Sequence, residues 1–315
     1  MMRKLWIVAL LLILATPAFI FATELANHLQ DVSVTIRSGN SSGSGTIITR
    51  KAPVSPGSEE TVSVNFIWTA AHVVDNLRSV RSIIDPATGT TRKVVEFKDA
   101  EVVRELIEDG RKVGETKMLA KVIKYSDSEN GQDLAILMVR KLNFVSVNSE
   151  FYLGDDIVPV GTTLFHVGSL LGQVGSNSMT SGIMSQVGRI LPIGNKEGVV
   201  FDQTTATAFP GSSGGGVFMA GLRESERDKN WSGQYIGMLV RGGGETFNFI
   251  VPVRRMRRWA DAAGVTWAID PSSQIPSLDE LRNLDVDDTG VNFSAEGGSR
   301  SPKSIIKYPF FLGYE

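Results

Sequence analysis

The stretch "AFPGSSGGGVF", residues 208–218, places two serines and three glycines between apolar, strand-like segments. Segments rich in glycine and serine are most often flexible linkers. A glycine-rich loop can also cradle a phosphate or carry the nucleophile of a hydrolase. A serine nucleophile needs a base, a carboxylate that orients the base, and two backbone N–H groups for the oxyanion. The third interpretation therefore depends on what the rest of the chain supplies.

Composition excludes several classes of protein. The chain has 315 residues, enough for two lobes or two domains, and its formal net charge of −2 gives no basic excess for binding nucleic acid. It contains no cysteine, which excludes disulfides, thiolate metal sites and cysteine nucleophiles. Only three histidines are present, and no His-Glu-x-x-His pair occurs. We therefore expect no metal and no cofactor.

The first residues have the layout of a secretory signal. In "MMRKLWIVALLLILATPAFIFA", residues 1–22, two basic residues precede an uninterrupted apolar run that ends in small residues. A retained membrane anchor formed by residues 5–22 is the alternative, because this mainly apolar stretch of 18 residues lies near the lower limit for spanning a bilayer. A cleaved signal predicts an exported protein, secreted or periplasmic, and a retained anchor predicts a membrane-anchored protein with the bulk of the chain outside the cytoplasm.

The next part of the chain has the pattern of an all-β protein. "DVSVTIR" (31–37) and "TVSVNFIW" (61–68) alternate apolar and polar residues, as half-buried strands do. Many similar runs follow, separated by glycine-rich turns, which favours a sandwich or barrel over βαβ units. Residues 99–114 fit either a helix or a hairpin, and the sequence leaves that choice open.

One helix and a polar tail follow the strands. "PVRRMRRWADAAG", residues 252–264, predicts a helix with Pro252 in its first turn and Gly264 at its end. We interpret its arginines as a solvated face: Arg254, Arg255, Arg257 and Arg258. From about residue 268 the sequence is rich in Pro, Gly, Ser and Asp and predicts a largely extended or disordered tail, with an apolar end at 305–315.

Because the chain has only three histidines, few residues can serve as the base. His72 lies in "IWTAAHVVDN" just after a predicted strand, and Asp133 lies in "NGQDLAILMV" just before one. Ser213 lies in "PGSSGGG", where the glycines would let two backbone N–H groups point at one spot. Taken singly, each residue also has an interpretation without catalysis: a histidine at the end of a strand, an aspartate in a turn and a serine in a linker. For His28 and His166 we expect a solvated position and a structural role.

Together the motifs "TAAH", "DLAIL" and "GSSGG", in this order, resemble the trypsin-like (chymotrypsin-fold) serine peptidases. "GSGTIIT" at 43–49 and "FNFIVPV" at 247–253 resemble the HtrA-like branch of that family, and the resemblance covers roughly residues 30–264. It implies an all-β fold of two packed six-stranded antiparallel β-barrels with a C-terminal helix and an extended tail. The implied peptidase domain is 23–267 and the tail is 268–315. No PDZ-like domain follows.

The resemblance also implies a catalytic role for each motif. Ser213 would be the nucleophile, His72 the general base and Asp133 the carboxylate that orients the base. The N–H groups of Gly211 and Ser213 would form the oxyanion hole. Ser212 stands where the family usually has Asp or Asn, a change that we expect to be tolerated. The implied function is a serine endopeptidase that acts on proteins or peptides; a latent or non-catalytic binding protein on the same fold is the alternative.

Substrate-binding residues follow from the same resemblance. The pocket floor would lie near Thr207, its wall near Asn248, and the strand that pairs with substrate would be Val240, Arg241 and Gly242. No acidic residue stands at the floor, so we expect a small or medium uncharged residue before the scissile bond rather than Lys or Arg. Because HtrA-like peptidases often trimerise, the resemblance also allows a homo-oligomer.

Overall fold

The computed structural model of the chain describes residues 24–84, 86–87, 89–108, 111–129, 132–193, 196–220, 233–242 and 245–286. The predicted signal or anchor at 1–22 and the apolar end of the tail at 305–315 lie outside these residues. Within them, no helix combines the length and apolar character needed to cross a membrane.

The first half of the chain forms a closed six-stranded antiparallel barrel in the order β1-β2-β3-β8-β7-β6, with the hairpin β4–β5 as a separate two-stranded sheet. The strands are β1 (Ser33–Ser38), β2 (Ser41–Pro53), β3 (Thr61–Thr69), β4 (Arg78–Ile84), β5 (Thr91–Phe97), β6 (Ala100–Glu108), β7 (Arg111–Ser126) and β8 (Leu134–Val139). The segment 99–114 that the sequence left open belongs to the hairpin of β6 and β7.

The second half forms another closed antiparallel barrel, in the order β10-β11-β14-β13-β12-β9. Its strands are β9 (Thr163–Leu170), β10 (Gly175–Ile193), β11 (Lys196–Thr204), β12 (Gly216–Met219), β13 (Tyr235–Gly242) and β14 (Asn248–Pro252). The predicted pair of six-stranded barrels is confirmed.

The two barrels pack closely against each other. β1 is buried on both faces, although its sequence alternates: Val34 and Ile36 point into the first core. Thr35 points the other way and its hydroxyl lies 2.5 Å from that of Ser169 on β9. The barrels therefore meet along β1 and β9, through the face of β1 that points away from the first core, and the cleft between the barrels is where residues from both halves can combine.

A row of aromatic side chains also joins the barrels. Trp68 of the first barrel lies 5.6 Å from Trp259 and 6.1 Å from Phe151, measured between ring centroids. Phe151 lies 4.7 Å from Tyr235 of the second barrel. We call these four residues the aromatic bridge. Because all four are buried, the barrels share one continuous core.

Among the described residues, four short α-helices accompany the barrels. Residues 24–31 form α1, and the others are α2 (Ala71–Val74), α3 (Val253–Ala262) and α4 (Leu278–Arg282). The predicted helix at 252–264 is thus present as α3; Pro252 caps it and Gly264, with a φ of +70°, follows its end.

The solvated interpretation of the α3 arginines is wrong for Arg255, whose exposed fraction is 5%. Arg258 is exposed, as expected, while Arg254 is half-buried and contacts Asp202. The sequence pattern could not distinguish the buried arginine from its neighbours because all four are charged residues of the same short helix.

The beginning of the predicted tail packs against the first barrel. The Trp68 indole N–H donates to Ala268 O at 2.8 Å, and the Tyr125 N–H donates to Val286 O at 2.9 Å. Between them, Ser277 and Glu280 form a capping box at the start of α4. This part of the tail is therefore ordered by contacts with the barrel; residues 287–315 lie outside the described part.

Candidate active site

His72 and Asp133 form the first contact of the site. His72 lies in α2, directly after β3 ends. Its Nδ1 lies 3.0 Å from each carboxylate oxygen of Asp133, and its backbone N–H donates to Asp133 Oδ1 at 3.1 Å. The His72 side chain is 34% exposed and the Asp133 side chain 5%. The carboxylate thus fixes the Nδ1–H tautomer of the ring and leaves Nε2 for proton transfer.

The charges of this pair shift both pKa values. Burial alone would lower the pKa of His72, but the attraction of Asp133 and its hydrogen bond outweigh burial, so the net pKa lies above the ordinary value. Burial alone would raise the pKa of Asp133, and the nearby His72 reverses this, so the net pKa lies below the ordinary value. Arg241 opposes protonation of both groups. Asp133 therefore stays ionised while His72 titrates.

The backbone around Asp133 has an uncommon conformation. Asp133 precedes β8 with a φ of +58°, in the left-handed region. Its N–H donates to Asp127 O at 3.1 Å, and the Gln132 N–H donates to Ser126 Oγ at 2.9 Å. These contacts turn the chain sharply so that the aspartate side chain reaches His72 as the strand begins.

The stretch 208–218 is a closely packed turn rather than a flexible linker. Ser212 is fully buried; its N–H donates to Phe209 O at 2.9 Å, and its Oγ accepts from the Phe209 N–H at 3.1 Å. Gly211 and Gly214 have φ values of +95° and +87°. Both conformations favour glycine. We call residues 209–215 the serine turn.

The serine turn lies directly against the histidine segment. A Cβ added to Gly214 would lie 2.2 Å from Ser44 O and 3.1 Å from Ala70 N, two residues before His72. Ser213 is half-buried, and its hydroxyl donates a long hydrogen bond of 3.5 Å to Val240 O. Within the described residues, this hydroxyl has no hydrogen bond to His72. The three predicted triad residues are thus brought to one cleft.

Hydrogen bonds fix the orientation of the peptide before Gly211. The Pro210 carbonyl accepts from the Leu171 N–H at 2.8 Å. All described peptide bonds are trans, so the Gly211 N–H points away from Leu171. In the described part of the chain, neither this N–H nor that of Ser213 donates to a protein acceptor. Both remain available to a ligand.

Ser44 holds the serine turn from the first barrel, a contact that the sequence did not reveal. Its hydroxyl donates to Gly211 O at 2.7 Å and accepts from the Ser169 N–H at 2.7 Å. Its own N–H donates to Ser213 O at 2.8 Å. The "GSG" stretch at 43–45 pointed to this strand, but nothing in its composition indicated that the serine would contact the turn.

The five predicted substrate-binding residues lie on β13, at the start of β14 and in the segment that leads into the serine turn. Val240 ends the buried part of β13, and Arg241 and Gly242 are exposed beside it. Thr207 lies in the segment that leads into the turn, and its carbonyl accepts from a threonine hydroxyl of β10. Asn248 opens β14 and pairs in register with Gly242.

Asn248 fills the space between these segments. It is fully buried; its Nδ2 donates to Ala206 O at 2.8 Å and to Glu245 O at 3.3 Å. Its Oδ1 faces Gly242: a Cβ added to that glycine would lie 2.6 Å from it. A polar, uncharged side chain thus occupies the space between β13 and the segment that leads into the serine turn.

The remaining histidines lie apart from the triad cleft. His28 is exposed on α1. His166 is fully buried beneath the serine turn; its Nδ1 lies 3.0 Å from Gly216 O, and burial lowers its pKa to about 4. Its position agrees with the structural role expected for it.

Two further features bear on ligands. Among the described residues, no group of three His, Cys, Asp or Glu side chains could hold a metal ion. A groove of about 880 Å³ lies along the linker between the barrels, lined by residues 148–156 and Arg50 among others. It contains none of the predicted site residues.

Comparison with known proteins gives a family and several structural neighbours. The family described as "Trypsin-like peptidase domain" matches residues 43–222. The chain is similar to the serine endoprotease from Yersinia pestis, with a TM-score of 0.50 and 16% identity over 78% of this chain and 66% of that chain. This likeness shows the fold, and the chain spans just under two thirds of that protein.

Two other structures are similar at TM-scores of 0.49. One is the HtrA-type protease AlgW with a tripeptide, at 18% identity over 79% of this chain and 64% of that chain. The other is the inactive form of the Rv3671c protease, at 17% identity over 75% of this chain and 91% of that chain. No curated protein sequence matches this chain.

Proposed function

Because the chain belongs to the trypsin-like peptidase family, we propose that it is a serine endopeptidase that cleaves proteins through Ser213, His72 and Asp133. The observation that carries the proposal is the contact of His72 Nδ1 with both oxygens of a buried aspartate, beside a serine turn from the other barrel. A base held in this tautomer is what activation of a serine hydroxyl requires.

The proposed reaction begins with attack of Ser213 Oγ on the carbonyl carbon of the scissile peptide bond. His72 Nε2 takes the hydroxyl proton as the C–O bond forms, and then gives it to the leaving amine as the C–N bond breaks. Asp133 remains ionised and stabilises the imidazolium. Water then attacks the acyl-enzyme with His72 again as the base, which releases the acid and restores Ser213.

The negative oxygen that forms during each attack needs donors in fixed positions. We assign this role to the N–H groups of Gly211 and Ser213, which have no acceptor in the described part of the protein. The Leu171–Pro210 hydrogen bond supports the assignment because it holds the Gly211 peptide in one orientation. Losing one such donor typically raises the barrier by about 3–4 kcal/mol.

The Ser213 hydroxyl must rotate to enter the reaction. This hydroxyl makes a long hydrogen bond to Val240 O, and rotation about χ1 moves Oγ to another staggered position without moving the backbone. The hydrogen bond between a nucleophile and its base is often long without substrate and shortens in the complex.

Activity-probe labelling tests the triad directly. The chain from residue 23 onward should react with a fluorophosphonate, and Ser213→Ala should abolish labelling. His72→Ala should slow labelling by at least about 10³-fold, because the base is lost while the binding groups remain. Ser212→Ala is the matched control: it removes the neighbouring hydroxyl and should still be labelled. Labelling that persists in Ser213→Ala contradicts the assignment.

The lack of a Ser213–His72 hydrogen bond favours a second candidate function. In this alternative the protein is latent, or binds partners without cleaving them, on the same fold. A folded wild-type protein that fails to react with the probe, beside a reactive trypsin-like control enzyme, would favour that alternative.

For specificity we propose a small or medium uncharged residue before the scissile bond. The buried Asn248 side chain, held by Ala206 O and directed at Gly242, supports this because it shortens the space and carries no charge. Asn248→Gly should shift cleavage of a peptide library toward larger residues at that position, with Arg81→Gln on the distant β4–β5 hairpin as the control. A wild-type profile dominated by Lys or Arg would contradict the proposal.

We also propose that the protein is exported, with protein or peptide substrates outside the cytoplasm. Residues 1–22 support this through their basic start, apolar run and small residues at the end. Sequencing the amino terminus of the mature protein distinguishes cleavage near residue 22 from an anchor retained at 5–22. Whether the protein forms a homo-oligomer is a separate question that light scattering answers.

A further inference from the structure

An arginine from the C-terminal helix reaches the loop that carries Asp133. Arg255 Nη2 donates to the backbone carbonyl of Gln132 at 2.5 Å, and its Nε donates to Gln132 Oε1 at 2.7 Å. Its Nη1 donates to Val200 O at 3.1 Å, and its Cζ lies 4.7 Å from the centre of the Phe201 ring. The guanidinium therefore spans from the second barrel to the residue just before the triad aspartate.

Burying the Arg255 guanidinium costs free energy, and the stability of α3 does not explain why this residue is buried. Only 5% of Arg255 is exposed, and burial lowers its pKa to about 9. Each of its hydrogen-bond acceptors named above is a neutral oxygen. Its neighbour Arg254 remains half-buried and contacts the carboxylate of Asp202 with two nitrogens. The helix can thus pair an arginine directly with an acid, whereas Arg255 feels the charge of Asp133, which raises its pKa, but forms its named hydrogen bonds with neutral oxygens, two of them on the residue before Asp133.

The peptide unit between Gln132 and Asp133 supplies a reason for this position. Its carbonyl accepts from Arg255 Nη2, and its N–H donates to Asp127 O at 3.1 Å. A peptide held at both ends cannot rotate, so ψ of Gln132 and the left-handed φ of Asp133 are fixed together. The direction of the Asp133 Cα–Cβ bond follows from these angles, and this direction brings the carboxylate to His72.

We propose that Arg255 is a positioning residue: acting through Gln132, it fixes the peptide before Asp133 and thereby keeps the carboxylate aligned with His72. This inference rests on the proposed function. It makes α3 part of the support of the triad, although α3 contributes no group that touches substrate. It also gives the second barrel control over an aspartate that belongs to the first.

The test compares three variants of the full mature chain. Arg255→Met removes every donor at nearly constant length, Arg255→Lys keeps the charge and one donor group, and Arg258→Met is the control on the exposed face of the same helix. We expect Arg255→Met to lower kcat about 10- to 100-fold at unchanged KM, because a small misalignment of catalytic groups costs this much. Arg255→Lys should recover part of the loss, and Arg258→Met should match the wild type.

The pH profile separates alignment from general loss of stability. The charged groups that act on the pair are Asp75, Arg241 and Arg255 itself. With the aspartate misaligned, the pKa of His72 loses its main upward contribution, so the acid limb of kcat/KM should move to lower pH in Arg255→Met. The long-range charge of Arg255 acts in the opposite sense, and Arg255→Lys retains that charge. A folded Arg255→Met enzyme with wild-type kcat and an unmoved acid limb overturns the proposal.

A second measurement does not depend on activity. The Nδ1–H shared between His72 and Asp133 should give a low-field proton NMR signal in the wild type, which moves upfield or is lost in Arg255→Met and persists in Arg258→Met. If Arg255→Met does not fold, Arg255→Lys carries the same comparison. A wild type that shows this signal but reacts with no probe refutes the peptidase function alone. A signal unchanged in folded Arg255→Met refutes the positioning role alone.

Discussion

At the scale of single residues, His72 lies between charges of opposite sign. Asp133 favours the protonated ring, and Arg241 disfavours it. Removing the positive charge with Arg241→Gln should therefore raise the pKa of His72 further. Because the base must be neutral to act, the acid limb of kcat/KM should move to higher pH.

The measurement for Arg241→Gln is a pH–rate profile at low ionic strength. At 1 M salt the Debye length is about 3 Å, so the difference between variant and wild type should shrink. Arg81→Gln, a change at an exposed arginine on the β4–β5 hairpin, should leave the profile unchanged. A movement of the limb to lower pH would show that Arg241 acts through contacts rather than charge.

His166 makes stability depend on pH. Its pKa is about 4 in the folded protein and near 6.5 when unfolded, because burial disfavours the charged ring. Between these values the unfolded chain binds a proton that the folded chain does not, so stability is complete above about pH 6.5 and falls as pH decreases toward 4. The loss attributable to this group is about 3 kcal/mol.

Replacing His166 with Gln tests this contribution and retains a donor for Gly216 O. Urea unfolding at pH 7 and pH 5 gives the change in free energy of unfolding for each protein. The wild type should lose more stability between these values than His166→Gln does, whatever the absolute stability of the variant. Equal losses in both proteins would mean that His166 is not the titrating group.

At the scale of elements, the serine turn has no room for a side chain at Gly214. A Cβ there would lie 2.2 Å from Ser44 O and 2.3 Å from Thr69 Oγ1, in a backbone conformation that other residues rarely adopt. Gly214→Ala should therefore displace the turn and abolish probe labelling. Gly39 also has a positive φ, but nothing lies within 4 Å of its added Cβ.

Gly39→Ala is thus the control for strain without collision. We expect Gly39→Ala to lower the free energy of unfolding by about 1–2 kcal/mol and to leave the labelling rate unchanged. Gly214→Ala should lower the free energy of unfolding and also abolish labelling. Thermal unfolding and probe kinetics on the two variants make the comparison. Labelling of Gly214→Ala at the wild-type rate would contradict the close packing of the turn.

The sequence was most informative about these elements. Turn glycines and alternating strands predicted a sandwich or barrel, and the resemblance carried by the motifs of His72, Asp133 and Ser213 predicted two barrels and the residues of the cleft. The hydrogen bonds of Ser44 and the burial of Arg255 could not be predicted, because they depend on how one barrel faces the other. A serine or an arginine has many compatible environments, and composition alone does not select among them.

At the scale of the whole molecule, the aromatic bridge should make the barrels unfold together. Trp259 is fully buried against Trp68, and removing it leaves a cavity between the barrels. Trp259→Ala should cost about 3–5 kcal/mol in the free energy of unfolding. Phe247→Ala, at a residue with 42% exposure, should cost much less.

Unfolding in urea, followed by intrinsic fluorescence and by loss of probe labelling, measures this coupling. In the wild type the two signals should change at the same denaturant concentration, as expected for one cooperative unit. Two separated transitions in the wild type would show that each barrel is stable on its own and that the bridge contributes little.

The tail marks the limit of sequence reasoning at this scale. Polar composition after residue 268 suggested an extended segment, yet Leu278 and Leu281 are buried on the first barrel. Two apolar residues in a polar stretch are a weak signal for burial. The hydrogen bonds that Trp68 and Arg50 donate to backbone carbonyls could not be predicted from the sequence.

The position of α3 along the chain has a consequence for the order of events during synthesis. A chain is made from its amino terminus, so both barrels are complete through Pro252 before α3 emerges. Until then, under the proposed role of Arg255, the peptide before Asp133 is held at one end only. The nascent chain would pass through this interval while its own unfolded segments are the nearest substrates. Under both proposals, placing this support after the two barrels would delay proteolysis until both barrels are complete.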